Sequence, residues 1–317
     1  MPSAEKPVSA SYDEAQRPSR KPFSWQRFNR TIIPYLFLTP FAVGYLIFML
    51  YPLIYSLRLS LFRKMIIGGN TFVGLANYEK VLKDTNFWEG IRNVLVFGSF
   101  QIPIMLGFAL LFALFLDSGV VRRISVFRLG YFLPFAVPSV VAALTWGYFY
   151  GQSFGPIAQI FTALKMEPPV FLTSQGILPA IANISIWLYT GYNMLILYAA
   201  LQAIPAELYE AAIVDGASGL KIAWYIRIPL IRPAIILTVI FSVIGTLQLF
   251  NEPNVLTVVA PSIVNLHFTP NIYLYNLAFR NAQFDYSAAM AFTLAIVCGV
   301  MASLVLFVTR RREKGGL

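Results

Sequence analysis

The chain is poor in the residues from which a soluble enzyme builds a reactive centre. It has one cysteine and one histidine among 317 residues. Cys298 sits inside an apolar run, so no internal disulfide can form, and its expected role is packing. A single histidine, His267, gives no basis for a zinc cluster or a Ser-His dyad. Charged residues make up only 12% of the chain against 58% hydrophobic, a balance that excludes a soluble domain of ordinary composition. Acidic residues number 14 against 24 basic ones, and none lies at the centre of a long apolar run. That argues against ion-coupled transport through buried carboxylates. A Gly-x-x-x-x-Gly-Lys-Ser/Thr phosphate loop is also missing, so the chain has no recognisable nucleotide site of its own.

What the chain does have is long apolar runs. Six uncharged stretches are long enough for about 20 residues of helix to cross a hydrocarbon core: 31–57, 93–116, 129–164, 168–206, 233–251 and 286–309. The third and fourth exceed one span, and their helices are expected near 130–150 and 177–204, with the Gly- and Pro-containing remainder as loop. A seventh apolar run, 253–279, is interrupted by Pro261 and Pro270 and diluted by Asn254, Asn265, Asn271 and Asn276. The expected fold is therefore all-α, a polytopic membrane protein with six transmembrane helices.

Charge decides the orientation. The net charge of +10 would suit a nucleic-acid binder, but the basic residues are spread between apolar runs. Six spans with both termini cytoplasmic put sixteen of the 24 Lys and Arg on the inner side, whereas a seventh would move Arg310, Arg311 and Arg312 outside. Residues 1–30, polar and Pro-containing, are expected to form a flexible cytoplasmic tail rather than a cleaved signal peptide. The permeating domain would occupy 31–309 and a basic cytoplasmic tail 310–317.

This topology places 205–233 in the cytoplasm, between the fourth and fifth spans. Pro205 suits a first helical turn, Asp215-Gly216 suits its end, and Ser218 is expected to cap a second short helix over 219–228 that Pro229 stops and Pro233 follows. Leu208, Ala211 and Ala212 share a face at helical spacing. Two short helices at an angle make a plug suited to docking on a soluble partner.

The residues of this plug carry a resemblance. Glu210-Ala211-Ala212, Asp215-Gly216-Ala217, Ile226, Pro229 and Pro233 resemble the EAA loop of bacterial ATP-binding-cassette importer permeases, and Leu201-Gln202-Ala203-Ile204-Pro205 resembles its carbohydrate-uptake, maltose-type branch. Phe72-Val73-Gly74-Leu75-Ala76-Asn77-Tyr78, Leu133-Pro134, Pro138, Trp146, Leu256-Thr257 and Phe279-Arg280-Asn281 extend it, closest to the first permease of a two-permease system. Val258-Val259-Ala260-Pro261 departs from the family's Gly-Gly-Pro, which removes that loop as a guide to substrate.

The resemblance implies a transport subunit and not an enzyme, placed in the bacterial cytoplasmic membrane. It implies as partners a second permease, two ATPases, an extracytoplasmic solute-binding protein, a sugar and membrane lipid, with no nucleic acid and no metal. ATP and Mg would be bound and used by the ATPases, and no cofactor by this chain. Glu210, Ala211, Ala212, Asp215, Gly216, Ala217 and Pro229 would form the ATPase-coupling surface, with Glu210 making a charge-assisted contact and Gly216 permitting the bend. Polyamine, phosphate or metal permeases also carry EAA loops, and a channel or scaffold without ATPase coupling is the rival of another class.

Polar residues inside spans are costly, which makes them candidates for the solute path. The candidates are Trp187, Tyr189, Asn193, Gln248, Asn251 and Glu252. Aromatic faces beside amides suit a sugar's mixed surface, although the same residue types anchor spans at interfaces and bridge neighbouring helices.

Overall fold

The computed structural model describes residues 25–65 and 69–314. Contacts divide the chain at Tyr55. The N-terminal unit contains α1 (Trp25–Tyr45), a π-helical turn (Leu46–Leu50) and the start of α2 (Tyr51–Ser60). None of its side chains from 32 to 55 is buried, and Phe37, Phe41, Phe48 and Tyr51 are widely exposed, so the helix is apolar all round as a lipid-crossing segment requires. This helix starts at Trp25, ahead of the expected 31; residues 1–24, most of the expected tail, lie outside the described residues.

The second unit opens with a hairpin of β1 (Phe62–Lys64) and β2 (Asn70–Phe72), antiparallel with Phe62 opposite Phe72. Then follow α3 (Ala76–Leu82), α4 (Thr85–Asp117), α5 (Ile124–Phe132), α6 (Ser139–Phe149), α7 (Pro156–Ala163) and α8 (Ile177–Gln202). After α8 come α9 (Ala206–Val214), α10 (Gly219–Ile222), α11 (Ile228–Leu230), α12 (Arg232–Leu247), α13 (Asn251–Val259), α14 (Pro270–Tyr275) and α15 (Phe284–Lys314). Among the described residues, five stretches are long and apolar enough to cross a membrane, and a sixth is made if the bent pair of 124–136 and α6 counts as one span.

That bent pair corrects the single straight helix expected over 130–150. The chain turns by 91° there, through a 3-10 segment at Leu133–Ala136. Pro134 and Pro138 cause the turn: neither has an amide hydrogen to continue the helical ladder, and Pro138 pushes Val137 to an extended ψ of 125°. At the C-terminus the last helix runs on through Arg310 to Lys314, where a tail was expected. The run 253–279 holds most of α13, α14 and a π-helical turn at Asn276–Arg280, and α13 carries the fifth apolar stretch on to Val259, past the end at 251 expected for it.

The core is the pairing of α4 with α8. Ala109 and Ala113, four residues apart, are fully buried against Met194, Leu197 and Leu201. Small residues at that spacing let two backbones approach closely. Gly191 lets α8 approach α5 in the same way, since a Cβ there would stand 1.8 Å from the Tyr131 carbonyl oxygen.

The string Gly74-Leu75-Ala76-Asn77-Tyr78 has a structural job. Gly74 turns the chain at φ +55°, the Asn77 amide donates to the carbonyls of Ser60 and Phe62 at 2.8 Å each, and the Tyr78 hydroxyl meets Ser60 Oγ at 2.7 Å. Asp84 then caps α4, accepting from the Asn86 and Phe87 amides, while its second oxygen accepts from the hydroxyls of Tyr273 at 3.0 Å and Tyr286 at 2.6 Å.

Candidate functional site

Two places concentrate polar groups. The first is a cavity of about 440 Å³ among α4, α8, α12 and the break between α12 and α13. The fifth span is interrupted at Gln248, Leu249 and Phe250, which are not helical. Irregular backbone in a span is tolerated where it lines a cavity and its polar groups are met. Here the freed Leu249 carbonyl accepts from Thr269 Oγ1 at 3.0 Å.

The break delivers Gln248, Asn251 and Glu252 to the cavity wall, opposite Tyr189 and Asn193 of α8. Glu252 is buried, 4% exposed, and makes no salt bridge among the described residues. Asn193 donates to the Tyr189 carbonyl at 3.0 Å, and Asn251 donates to Ser139 Oγ at 2.9 Å. Both amides keep their carbonyl oxygens free of any hydrogen bond recorded among the described residues.

Trp187 is the candidate that does not join them. It lies outside the cavity, edge-on to Trp146 with ring centroids 6.0 Å apart. The two-residue step from Tyr189 turns it about 200° round the helix, away from the face that carries Tyr189 and Asn193. Asn183, another polar residue of this span, lies outside the cavity and donates to the Tyr150 hydroxyl at 2.9 Å.

The structure adds members the sequence did not single out. Ser185 is buried, lines the cavity one turn before Tyr189, and its hydroxyl has no partner among the described residues. Phe135, delivered by the bend after α5, stacks on Tyr192 at 4.8 Å and meets Tyr189 edge-on at 6.1 Å. A serine on an apolar helix gives no signal by itself, though its four-residue spacing to Tyr189 would have placed it on the same face. Among the described residues, no Lys, Arg or His lines the cavity. The wall therefore offers uncharged donors and acceptors, aromatic faces and one carboxylate.

The second place is the loop between α8 and α12. Helix α9 ends in a Schellman arrangement: Gly216 has φ +76°, its amide donates to the Ile213 carbonyl at 2.9 Å, and the Ala217 amide donates to the Ala212 carbonyl at 2.9 Å. This explains Asp215-Gly216-Ala217 after the alanines. Ser218 stands at the head of α10 but makes no capping bond with its side chain. Nor does Pro229 stop a helix; it lies within α11, which continues directly from the π-helical turn at Ala223–Arg227.

Glu210, Ala211, Asp215, Gly216 and Pro229 are exposed, and Ala212 and Ala217 are half-buried. Exposed beside them are Ile213, Val214 at 86%, Leu220, Trp224 and Tyr225 at 80%. A patch of this size around a carboxylate has the composition of a protein-binding surface. The expected coupling residues thus share one exposed loop, and its aromatic and aliphatic members were not foreseen.

Comparison with known proteins follows the same lines. The family described as binding-protein-dependent transport system inner membrane component matches residues 102–314. The lactose transport system permease protein LacF of Rhizobium radiobacter is 34% identical, with 88% of this chain and 94% of that protein covered. The trehalose/maltose permease MalF of Thermococcus litoralis is 33% identical over 73% of this chain and 79% of its own length. The sn-glycerol-3-phosphate permease UgpA of Agrobacterium fabrum is 31% identical, covering 91% and 98%. A crystal structure of a bacterial alginate ABC transporter shares the fold, with a TM-score of 0.78 at 22% identity over 92% of this chain and 98% of the matched chain.

Proposed function

Because this chain belongs to the family of binding-protein-dependent transport system inner membrane components, and is a multi-pass transport subunit of the bacterial cytoplasmic membrane, we propose that it carries an uncharged oligosaccharide inward by alternating access. The observation that carries the substrate class is the cavity lining. Free amide carbonyls, the unpartnered Ser185 hydroxyl and the Phe135, Tyr189 and Tyr192 rings match the hydroxyls and the apolar faces of a sugar ring. A phosphate ester or a uronate would meet no Lys, Arg or His among the described lining residues to balance its charge. Two of its relatives are named for the neutral sugars lactose and trehalose/maltose, and a third relative and a structural neighbour for the anionic solutes sn-glycerol 3-phosphate and alginate, so both kinds enter the test.

The rest of the machine is inferred with it. A second permease would complete the cavity, an extracytoplasmic binding protein would load it, and two ATPases holding ATP and Mg would supply the energy. The loop of α9 to α11 would be the docking element, with Glu210 and the exposed Val214, Trp224 and Tyr225 seated on the ATPase. Membrane vesicles containing the assembled transporter and its binding protein provide the test, with labelled lactose, maltose, trehalose, glycerol 3-phosphate and an oligouronate as solutes. ATP-dependent accumulation of a neutral sugar is expected. Accumulation of only the anionic solutes would overturn the reading.

A further inference from the structure

The loop just described is nearly unanchored. Among the described residues, the hydrogen bonds and ion pairs that leave residues 205–227 for another part of the chain run from one side chain, Arg227, to one residue, Asp117. Arg227 Nε approaches Asp117 Oδ2 to 2.9 Å as an ion pair, without the alignment of a hydrogen bond, and a terminal guanidinium nitrogen donates to the Asp117 backbone carbonyl at 3.2 Å. The two side chains are 14% and 6% exposed.

Four segments meet at this pair. Asp117 is the last residue of α4, and its Oδ1 accepts from Gln202 Nε2 at 2.7 Å, the last residue of α8. The Arg227 guanidinium also lies over the Tyr209 ring of α9, 4.9 Å from its centroid. Arg227 closes the π-helical turn Ala223–Arg227; the extra residue in such a turn shifts every following side chain round the axis, and here it brings Arg227 to Asp117. A planar guanidinium that contacts a carboxylate, a carbonyl and a ring at once fixes angle as well as distance.

We propose that the Asp117–Arg227 pair is the joint through which movement of the loop reaches the second and fourth spans, with both as positioning residues. The proposal rests on the docking reading above. An ATPase that displaces α9 pulls on α4 and α8 through Arg227. Without the pair, the loop moves and the spans do not follow.

The test uses the assembled transporter in proteoliposomes, with Ser242→Cys on the cavity wall as reporter in a Cys298→Ala background. Maleimide labelling of that cysteine is timed with and without ATP and vanadate, and ATP hydrolysis is measured on the same samples. With the pair intact, nucleotide should change the labelling rate by about five-fold or more; in Arg227→Gln that change should fall below about two-fold while hydrolysis continues, and Arg227→Lys should restore part of it. Asp117→Asn/Arg227→Gln removes both charges together and leaves no buried charge unpaired, so it serves if the single variant does not assemble. A full nucleotide response in the double variant overturns the joint. So does loss of the ATPase from the purified double variant, because the pair is proposed to transmit force and not to hold the partner. If the unaltered joint shows no nucleotide response and no ATPase co-purifies, the docking reading fails instead.

Discussion

Replacing Ser185 by Ala tests the cavity most directly. The Ser185 hydroxyl is buried and has no partner, and a buried unsatisfied polar group costs about 1–3 kcal/mol. In the empty transporter Ser185→Ala should therefore leave thermal stability unchanged or raise it. When a sugar hydroxyl fills the gap, the serine gains a neutral hydrogen bond worth about 0.5–1.5 kcal/mol, so its loss should weaken binding by roughly 2- to 12-fold. The two effects have opposite signs, which separates a sugar contact from a packing defect. The assay is equilibrium binding of a transported labelled disaccharide to the purified complex without binding protein, beside a melting curve of the same sample. Unchanged affinity with a raised melting temperature would refute the assignment of Ser185 to the sugar path.

Glu210→Ala should abolish ATP-dependent sugar uptake while leaving the chain in the membrane and its affinity for the same disaccharide intact, as measured by uptake, membrane fractionation and binding on one preparation. Gly216→Pro cannot adopt φ +76°, so it should break the cap of α9 and stop uptake, with co-purification of the ATPase as the readout. Gly191→Ala drives a methyl to 1.8 Å from the Tyr131 carbonyl oxygen and should cost about 1–3 kcal/mol through displacement of α5 from α8, seen as a lowered melting temperature. Burial first, and then the Asp84 carboxylate it donates to, raise the Tyr273 hydroxyl above the ordinary tyrosine range, against a lowering contribution from Asn86. Its stabilising contribution is thus complete below the unfolded tyrosine pKa and is lost as pH rises through the folded one. In an alkaline titration of tyrosinate absorbance, Tyr273→Phe should remove a late-titrating group.

The spans were legible because length and charge are properties of the sequence alone. An apolar run long enough to cross needs no tertiary information, so the fourth span and the C-terminal end of the second were placed within a few residues, whereas α4 begins at Thr85, well ahead of the expected 93. The loop was legible through chain-local chemistry: an alanine-rich turn followed by Asp215-Gly216 encodes a left-handed cap whatever surrounds it. What failed was anything that depends on direction. Pro134 and Pro138 lie inside the helix expected over 130–150, and the 91° turn there, with the delivery of Phe135 to Tyr192, was not foreseen. Trp187 was grouped with Tyr189 by proximity in sequence, where the helical period sends them to different faces. Asp117 was invisible for a different reason, since an acid at a span end reads as solvated until its partner, 110 positions later, is known.

Cavity and joint share two helices. Helix α4 carries Gln101 in the cavity wall and Asp117 at the joint, about 24 Å apart at 1.5 Å per residue. Helix α8 carries Asn193 and Gln202, about 14 Å apart, with neither Gly nor Pro between them to yield. The segments between these points are bound side by side by Ala109, Ala113, Met194, Leu197 and Leu201, a close-packed contact that transmits displacement rather than absorbing it. A force applied at Asp117 is therefore delivered to Asn193 and, although Pro103 and Gly107 lie in α4 on the way, to Gln101, because the Gln101 and Asn193 amides both contact Met105 Sδ. The wall formed by α12 and α13 is reached differently, through the helical break at Gln248 to Phe250, where the backbone is not held by a helical ladder and can turn. The expected consequence is that nucleotide moves the α4–α8 wall as one body while the Asn251–Glu252 side lags. Spin labels at Asn193 and Asn251 would show this as a nucleotide-dependent change in their separation, while labels at Gln101 and Asn193 hold theirs. Equal changes in both pairs would mean that the cavity deforms throughout and that the two helices are not a rigid arm.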